Sequence, residues 1–439
     1  MHNLTFKKGI HPDYHKMATQ NKAIEVLMPL DELVFPMSQH IGVPATPIVK
    51  KGDRVLVGQK IGEANGFVSV PVHSSVSGTV KVVEERMTFR GTKDMCVVIT
   101  QDGKYEAYEE MAQKACSDYE NLTKVKFIEL IKDSGIVGMG GATFPAHVKL
   151  SVPEDKKVAF IVINGAECEP YLTSDYRVML EFSKEIIGGL KVLLSVFKDA
   201  KVIIGIEDNK PDAIAKLQNL VRDVPRMAVV VLHTKYPQGS EKHLIYATTR
   251  REVPNGKLPI DIGCIVHNID SIVAIYRAIV KGCPIMSRIV TVSGSGIKNP
   301  CNLEVKIGDS FRHVLEKAGW DATRTQKVIA GGPMMGIAIS DIDVPIVKGT
   351  SAILCFTEEE LKPVDSTACI RCGKCVEVCP MSLVPNILHR SAMHNKYEVF
   401  LTHNGMNCIE CGCCAFNCPA KRDIVQSIRT AKAAIHAKK

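Results

Sequence analysis

Half of the sixteen cysteines in this 439-residue chain fall in two runs with one spacing. Cys369, Cys372, Cys375 and Cys379 precede Pro380, and Cys408, Cys411, Cys414 and Cys418 precede Pro419, so each run reads C-x2-C-x2-C-x3-C-P. Three thiolates on one tight loop reach three corners of a four-iron, four-sulfur cubane. The fourth opens a segment directed away from that loop and ligates the neighbouring cubane. The spacing predicts two [4Fe-4S] clusters, one on Cys369, Cys372, Cys375 and Cys418, the other on Cys408, Cys411, Cys414 and Cys379. Gly373 and Gly412 let the backbone bend around sulfur. A pair of zinc sites is the bland alternative, and two intact copies with both prolines disfavour it. Cys413 breaks the phase of the second run and is read as a non-ligand. Cys96, Cys116, Cys264, Cys283, Cys301 and Cys355 are expected to be small buried apolar residues, with Cys168 set apart by the segment it sits in. The chemistry of the two runs is one-electron transfer.

Two further segments have residue types suited to binding. SGIVGMGGATFPAHVKL clusters Gly135, Gly138, Gly140 and Gly141, with Thr143 where a G-x-G-x-x-G pattern would place its last glycine. Clustered glycines expose backbone N–H groups, and a helix beginning near Pro145 would aim its positive end at an anion, with Lys149 one turn on. A plain tight turn accounts for the glycines equally well. The strand that follows ends in INGAECEPYLTSDYR, where Asn164, Glu167 and Glu169 gather. Ligand sites in open α/β sheets lie at such carboxyl ends, and a solvated loop is the alternative.

The elements that must carry these segments suggest a multidomain α/β protein of four units. Residues 1–110 read as a leader and an all-β barrel-sandwich, with short Val/Ile runs between Gly and Pro turns. Residues 115–283 alternate strand and helix patterns, as a parallel α/β sheet does. Residues 285–356 return to strands around one helix, a β-grasp pattern. A linker, LKPVDST, leads to an α-helical two-cluster domain over 363–439. Its last helix sets Ile424, Ile428, Ala431 and Ile435 at helical spacing beside basic residues, as a membrane-surface or partner-docking helix would; a frayed, solvated terminus is the preferred alternative. The stretch Gly331–Gly336 (GGPMMG) is expected to be a packed turn between units, and His40 and His73 to be hydrogen-bonded structural histidines.

A net charge of +8, from 55 basic and 47 acidic residues, is too mild and dispersed for nucleic-acid binding. No stretch is long and apolar enough to span a membrane, and the opening residues lack an apolar signal region.

The order G-x-G-G-A-x-F-P…K, N-x-x-E-x-E-P, YPQGSE resembles the NADH-oxidising flavoprotein subunit of respiratory complex I. The resemblance implies non-covalent FMN, with Gly138, Gly140, Gly141 and Lys149 at its phosphate and ribityl chain. It places Asn164, Glu167 and Glu169 on the ring side, and Tyr236, Gly239, Glu241 and Asn268 around the rest of the pocket. It also implies NAD(H) as substrate, with Glu167 and Glu169 as the catalytic candidates. Ser240 stands where that family usually has a second acid, and this chain has two clusters in place of one. The front segment V-x-K-G-D-x-V-x-x-G-Q-x-I followed by S-G-T-V resembles a lipoyl or biotinyl barrel-sandwich. Residues 61–80 contain no lysine, so a swinging-arm role is excluded. VTVSGSGIKNPCNLEVKIGDSFRHVLEKAGW resembles the soluble-ligand-binding β-grasp (SLBB).

Taken together with GIHP, QHIGVPATPIVKKGDRVLVGQKI and SVPVHSSVSGTV, residues 6 to about 425 resemble the RnfC family. Its members are subunits of Rnf complexes, which are membrane-bound, ion-translocating ferredoxin:NAD oxidoreductases. That resemblance implies an electron-transfer subunit that exchanges hydride with NAD(H) at FMN and relays single electrons through two clusters. It implies a peripheral place on the cytoplasmic face of the membrane. Its partners would be other members of the complex, among them an iron-sulfur subunit that receives electrons from ferredoxin. The rivals are a soluble diaphorase-type subunit of a hydrogenase-like assembly and a flavin-free ferredoxin-domain scaffold.

Overall fold

The computed structural model describes residues 4–361 and 365–438. Lys362, Pro363 and Val364 of the expected linker, and Lys439 of the basic tail, lie outside the described residues.

Four Val/Ile-rich runs make the parallel sheet expected in the middle of the chain. Its order is Met227–Leu232, Lys201–Glu207, Phe160–Gly165, Cys264–Asn268, all parallel. Helices Ser183–Val196 and Ile269–Lys281 bury apolar faces between the sheet and the rest of the core. The register pairs Asn164 with Asn268 on adjacent strands, so both asparagines emerge at the same carboxyl edge.

The front unit is built from two small antiparallel sheets. One is Glu32–Pro36, Lys93–Gln101, Gly78–Met87, Arg54–Val55; the other is Thr46–Pro47, Lys60–Glu63, Val72–His73. Its core (Leu33, Phe35, Val72, Ile99) is continuous with that of the parallel-sheet unit (Phe127, Ile131, Ile161), which fixes the two as one body. His40 is buried, receives the Val70 N–H at 3.2 Å and contacts the Ile41 carbonyl at 3.2 Å. Burial drops its pKa to about 4, which agrees with a structural histidine. His73 is also buried, but its Nδ1 has no partner.

A six-stranded mixed sheet forms the β-grasp unit around helix Phe311–Lys317. Its edge strand, Ile24–Val26, comes from the leader and pairs in parallel with Cys301–Lys306. Leu4 likewise bridges Leu232 on the parallel sheet. Residues 4–26 therefore run along the flavin-like and β-grasp units and do more than precede the barrel. Lys348, fully buried, ties three units together: its ammonium donates to Pro71 O in the front unit and to Gly135 O at the start of the glycine loop, each at 2.8 Å.

In the last unit, helix Ile424–His436 packs on helix Pro385–Met393. Ile424, Ile428, Ala431 and Ile435 are all buried in that unit's own core, and Arg429 and Lys432 pair with Glu410 at 3.1 and 2.5 Å. This corrects both the frayed-terminus expectation and the membrane or partner reading of the stripe. The small cysteine-rich unit has few apolar residues, and it uses this helix to close its own core.

Candidate functional site

The glycine loop folds back on itself. Gly138 N donates to Phe144 O at 2.9 Å and Thr143 N to Gly138 O at 3.1 Å. The helix expected from Pro145 is only five residues, Ala146–Leu150, too short to contribute much dipole; Lys149 is its useful feature. Three residues without a signal in the sequence hold the loop open: Ser271, Asp270 and Arg288. Ser271 Oγ accepts Met139 N at 2.9 Å, and the Arg288 guanidinium donates to Met139 O at 2.9 Å, Thr350 O at 3.1 Å and Asp270 at 2.5 Å. Arg288 and Asp270 form a buried pair, and removing one partner of such a pair costs about 3–5 kcal/mol. An Arg opening one strand and an Asp at a helix start are ordinary residues in isolation, so no motif marks them.

Gly141 has positive φ (99°), and a Cβ there would meet nothing within 4 Å, so that side of the loop is open. A Cβ on Gly140 would press on the Asn268 side chain at 3.3–3.6 Å. Lys149 Nζ donates to Glu241 at 2.9 Å and to Val266 O at 3.2 Å. Asn164 donates to Gly239 O at 2.8 Å, and Gly239 N donates to Cys168 Sγ at 3.3 Å. Lys149 thus meets Glu241, Asn164 meets Gly239, and Gly140, on one loop with Gly138 and Gly141, lies against Asn268, next to Asn164 at the sheet's carboxyl edge. Open glycine backbone, a lysine and convergent amides fit the phosphate, ribityl and ring edges of a flavin nucleotide.

Asn268 caps helix Ile269–Lys281 through Asp270 N at 2.9 Å and donates to Asp175 at 2.6 Å. Asp175 is half-buried, and desolvation of its carboxyl, then Glu167, raises its pKa to about 8. The folded chain therefore holds a proton that the unfolded chain releases near the ordinary carboxyl range. Stability from this group is full below that range and is lost as pH rises toward 8. Asp175→Asn mimics the protonated form and still accepts from Asn268. The melting temperature of the variant should gain on that of wild type as pH rises from 5 to 9, by thermal scans at each pH. A constant difference would mean that Asp175 is ionised throughout.

The two candidate acids are placed differently from each other. The Glu167 carboxylate is turned back onto helix Ser174–Glu181, accepting Asp175 N at 2.7 Å and Tyr176 N at 3.3 Å. It is buried, with Lys16 Nζ at 3.9 Å. In place of the direct contact with a dinucleotide expected of it, its oxygens cap a helix whose own cap residue, Thr173, makes no capping bond and instead bonds Thr19 and Asn302. Glu169 reaches the GGPMMG turn and accepts Met334 N at 3.0 Å and Met335 N at 2.9 Å. A Cβ on Gly332 would overlap its carboxylate, only 2.2 Å away, so the glycine there is required by close approach, and the packed-turn reading stands. Ser240 contacts His243 Nδ1 at 3.0 Å at the start of helix Glu241–Thr249.

Tyr236 stands apart from the pocket residues. Its ring is buried with Ile10, Cys411 and Cys413, and Cys168 and Met334 pack against that group. Its hydroxyl lies beside Glu169 without a hydrogen bond of normal geometry. Cys413 Sγ is 4.0 Å from Tyr236 O, and His243 Nε2 is 3.1 Å from Pro380 O. The second cysteine run and the end of the first are therefore docked on the flavin-like unit.

Cys379, Cys408, Cys411 and Cys414 line one cavity, together with Pro380, Leu383 and Val425. Leu383 N donates to Cys379 Sγ and Glu410 N to Cys408 Sγ, each at 3.4 Å. Cys413 lines the same space, with its Sγ against Tyr236 O; the other four thiols, two already receiving amide bonds, fit a cubane that includes the fourth cysteine of the first run. Cys375 has Cys369 and Cys372 as thiol neighbours. Thr367 N donates to Ala420 O at 3.0 Å, drawing the end of the second run, with Cys418, to the start of the first. Cys369 and Cys372 are exposed, whereas Cys411 and Cys414 are buried.

Family models match in the same order: the RnfC barrel sandwich hybrid domain over residues 4–104, the Nuo51 FMN-binding domain over 131–277, the SLBB domain over 289–338 and a 4Fe-4S dicluster domain over 368–421. The chain is 46% identical to the C subunit of the Na(+)-translocating ferredoxin:NAD(+) oxidoreductase complex of Acetobacterium woodii, over 99% of this chain and 98% of that one. It belongs to the RnfC family. It is 43% identical to the proton-translocating counterpart of Clostridium ljungdahlii, over 98% of this chain and 93% of that one. The C subunit of the ion-translocating oxidoreductase complex of Vibrio cholerae is 41% identical over 90% of this chain, which spans about half (51%) of that longer relative. Membership of the RnfC family, with an FMN-binding and a dicluster domain, makes this chain an electron-transfer subunit of a multi-subunit oxidoreductase with FMN and [4Fe-4S] clusters as cofactors. Both rival readings give way to it. No helix among the described residues is long and apolar enough to cross a membrane.

Proposed function

We propose that this RnfC-family chain exchanges hydride with NAD(H) beside the glycine loop at Gly141 and relays electrons between that site and its partners through the second cysteine run, next to the flavin, and then the first. When bound, FMN supplies the junction between two-electron hydride chemistry and one-electron transfer, and the clusters supply the relay. Lys149 and the 138–141 backbone take the nucleotide's phosphate and ribityl chain, while Asn164, Gly239 and Asn268 fix its ring edge. Glu241, paired with Lys149, completes the surroundings, and Tyr236, expected there too, lies instead between the pocket and the second run. Glu169 is the acid that bridges the pocket and the second run, and Glu167 acts through the helix it caps. The metal ligands are Cys369, Cys372, Cys375 and Cys418 in one set and Cys408, Cys411, Cys414 and Cys379 in the other. The units are those read from the sequence, at 1–110, 115–283, 285–356 and 363–439, except that leader strand Ile24–Val26 completes the β-grasp sheet. The partners are members of a membrane-bound complex on the cytoplasmic face, one of them an iron-sulfur subunit that receives electrons from ferredoxin.

One observation carries the order of the two sites: Cys411 of the second run is buried in one group with Tyr236 and Met334, and the first-run Cys369 and Cys372 are exposed. Buried thiols next to the pocket suit an internal relay, and exposed ones suit exchange with another protein. Cys372→Ser is therefore expected to leave NADH:ferricyanide turnover within about twofold and to cut electron transfer to the assembled complex by at least about tenfold, about 1.4 kcal/mol in the barrier. Equal loss of both activities would reverse the order.

A further inference from the structure

Residues 4–16 form a strap across the flavin-like unit and the first cysteine run. Leu4 N donates to Val231 O at 3.1 Å, and Ile10 and Tyr236 exchange both backbone bonds at 2.9 Å. Gly9 N donates to Val378 O at 3.2 Å and Lys8 Nζ to Val376 O at 3.2 Å, between Cys375 and Cys379. The strap then turns inward and buries Lys16, which is 5% exposed. The Lys16 ammonium donates to the carbonyls of Glu167 and Glu169 at 2.9 Å each, and to that of Leu172.

Those carbonyls belong to the acidic loop, whose backbone is strained. Glu167 has φ 47° and Tyr171 φ 68°, left-handed values that cost free energy for residues with a side chain and persist only where the surroundings enforce them. Three carbonyl dipoles aimed at one point also repel one another. An ammonium, with three tetrahedral donors, removes that repulsion, whereas the flat fork of an arginine would not match it. Tyr171 is held besides by Tyr14 O, which accepts its N–H at 2.8 Å, and by stacking on His15 at 4.6 Å.

We infer that Lys16 is a positioning residue for the NAD(H) reaction: through three carbonyls it holds residues 167–172 in the strained shape that directs Glu169 to the GGPMMG turn and Glu167 to its helix. This rests on the reading that the loop borders the flavin. Lys16 also lines an open cleft of about 520 Å³ with Tyr14, His15, Tyr176, Asn209 and Gly294, so a small amine can reach the place its ammonium would leave.

Lys16→Ala in the full cofactor-loaded chain tests the inference. NADH:ferricyanide turnover should fall by at least about tenfold with FMN and iron content unchanged. Amides of residues 167–172 should exchange faster with deuterium. Added n-propylammonium should restore turnover at least about threefold, and n-propanol should not. Wild-type turnover with wild-type exchange would overturn the assignment, as would equal rescue by the alcohol. Loss of FMN and iron in both Lys16→Ala and Lys16→Met would make Lys16 merely structural and overturn it too. If the wild-type chain itself does not oxidise NADH, the function reading fails, and the exchange comparison alone decides the role of Lys16.

Discussion

Cys379→Ser is expected to abolish the EPR signal of the cluster on Cys408, Cys411 and Cys414 and to leave that on Cys369, Cys372 and Cys375 intact, although Cys379 belongs to the first run. Cys418→Ser is expected to do the reverse. Cys379 lines one cavity with the three second-run thiols, and Pro380 follows it and turns the chain toward His243. A serine oxygen is a poor substitute for a thiolate on iron, so each variant should lose about half of its iron. If each substitution removed the cluster of its own run, the crossed arrangement would be wrong.

Gly140→Val should cut FMN affinity at least about 100-fold, about 2.8 kcal/mol at 1.4 kcal/mol per tenfold, with both cluster signals retained. Already at Cβ the substitution would press on Asn268, and valine adds two further methyls to the face of the loop. Asn268 cannot yield cheaply, because it caps a helix and donates to Asp175. FMN extraction and fluorimetry of the purified variant give the answer, and stoichiometric flavin would remove this loop from the pocket.

Much of this arrangement is legible in the sequence because its signals are local. Cysteine spacing defines cluster loops within a dozen residues, and Val/Ile runs separated by helical stretches define a parallel sheet. The residues gathered at the sheet edge, from Gly138 to Asn268, are legible through motif order. Long-range placement is not. Lys16 and Glu167 are 151 positions apart, and no periodicity links them. The Arg288 contacts to Met139 and Asp270 depend on how the β-grasp unit docks, which strand patterns do not encode. The apolar stripe at Ile424–Ile435 shows the opposite failure. Its helical spacing is plain in the sequence, yet amphipathicity states only that one face is covered, not what covers it. Glu167 belongs to the same class: the residue type suggests contact with a dinucleotide, but the backbone bend at φ 47° turns its carboxylate onto a helix start.

The most direct test of the central claim, that this one chain links NAD(H) at its flavin pocket to two clusters, is anaerobic addition of NADH to the loaded chain while flavin absorbance and cluster EPR are followed together. Flavin bleaching accompanied by reduction of the clusters, to the extent that a mediator poised at the same potential reduces them, is the expected result. Flavin bleaching with both clusters left oxidised under conditions where the mediator reduces them would contradict it.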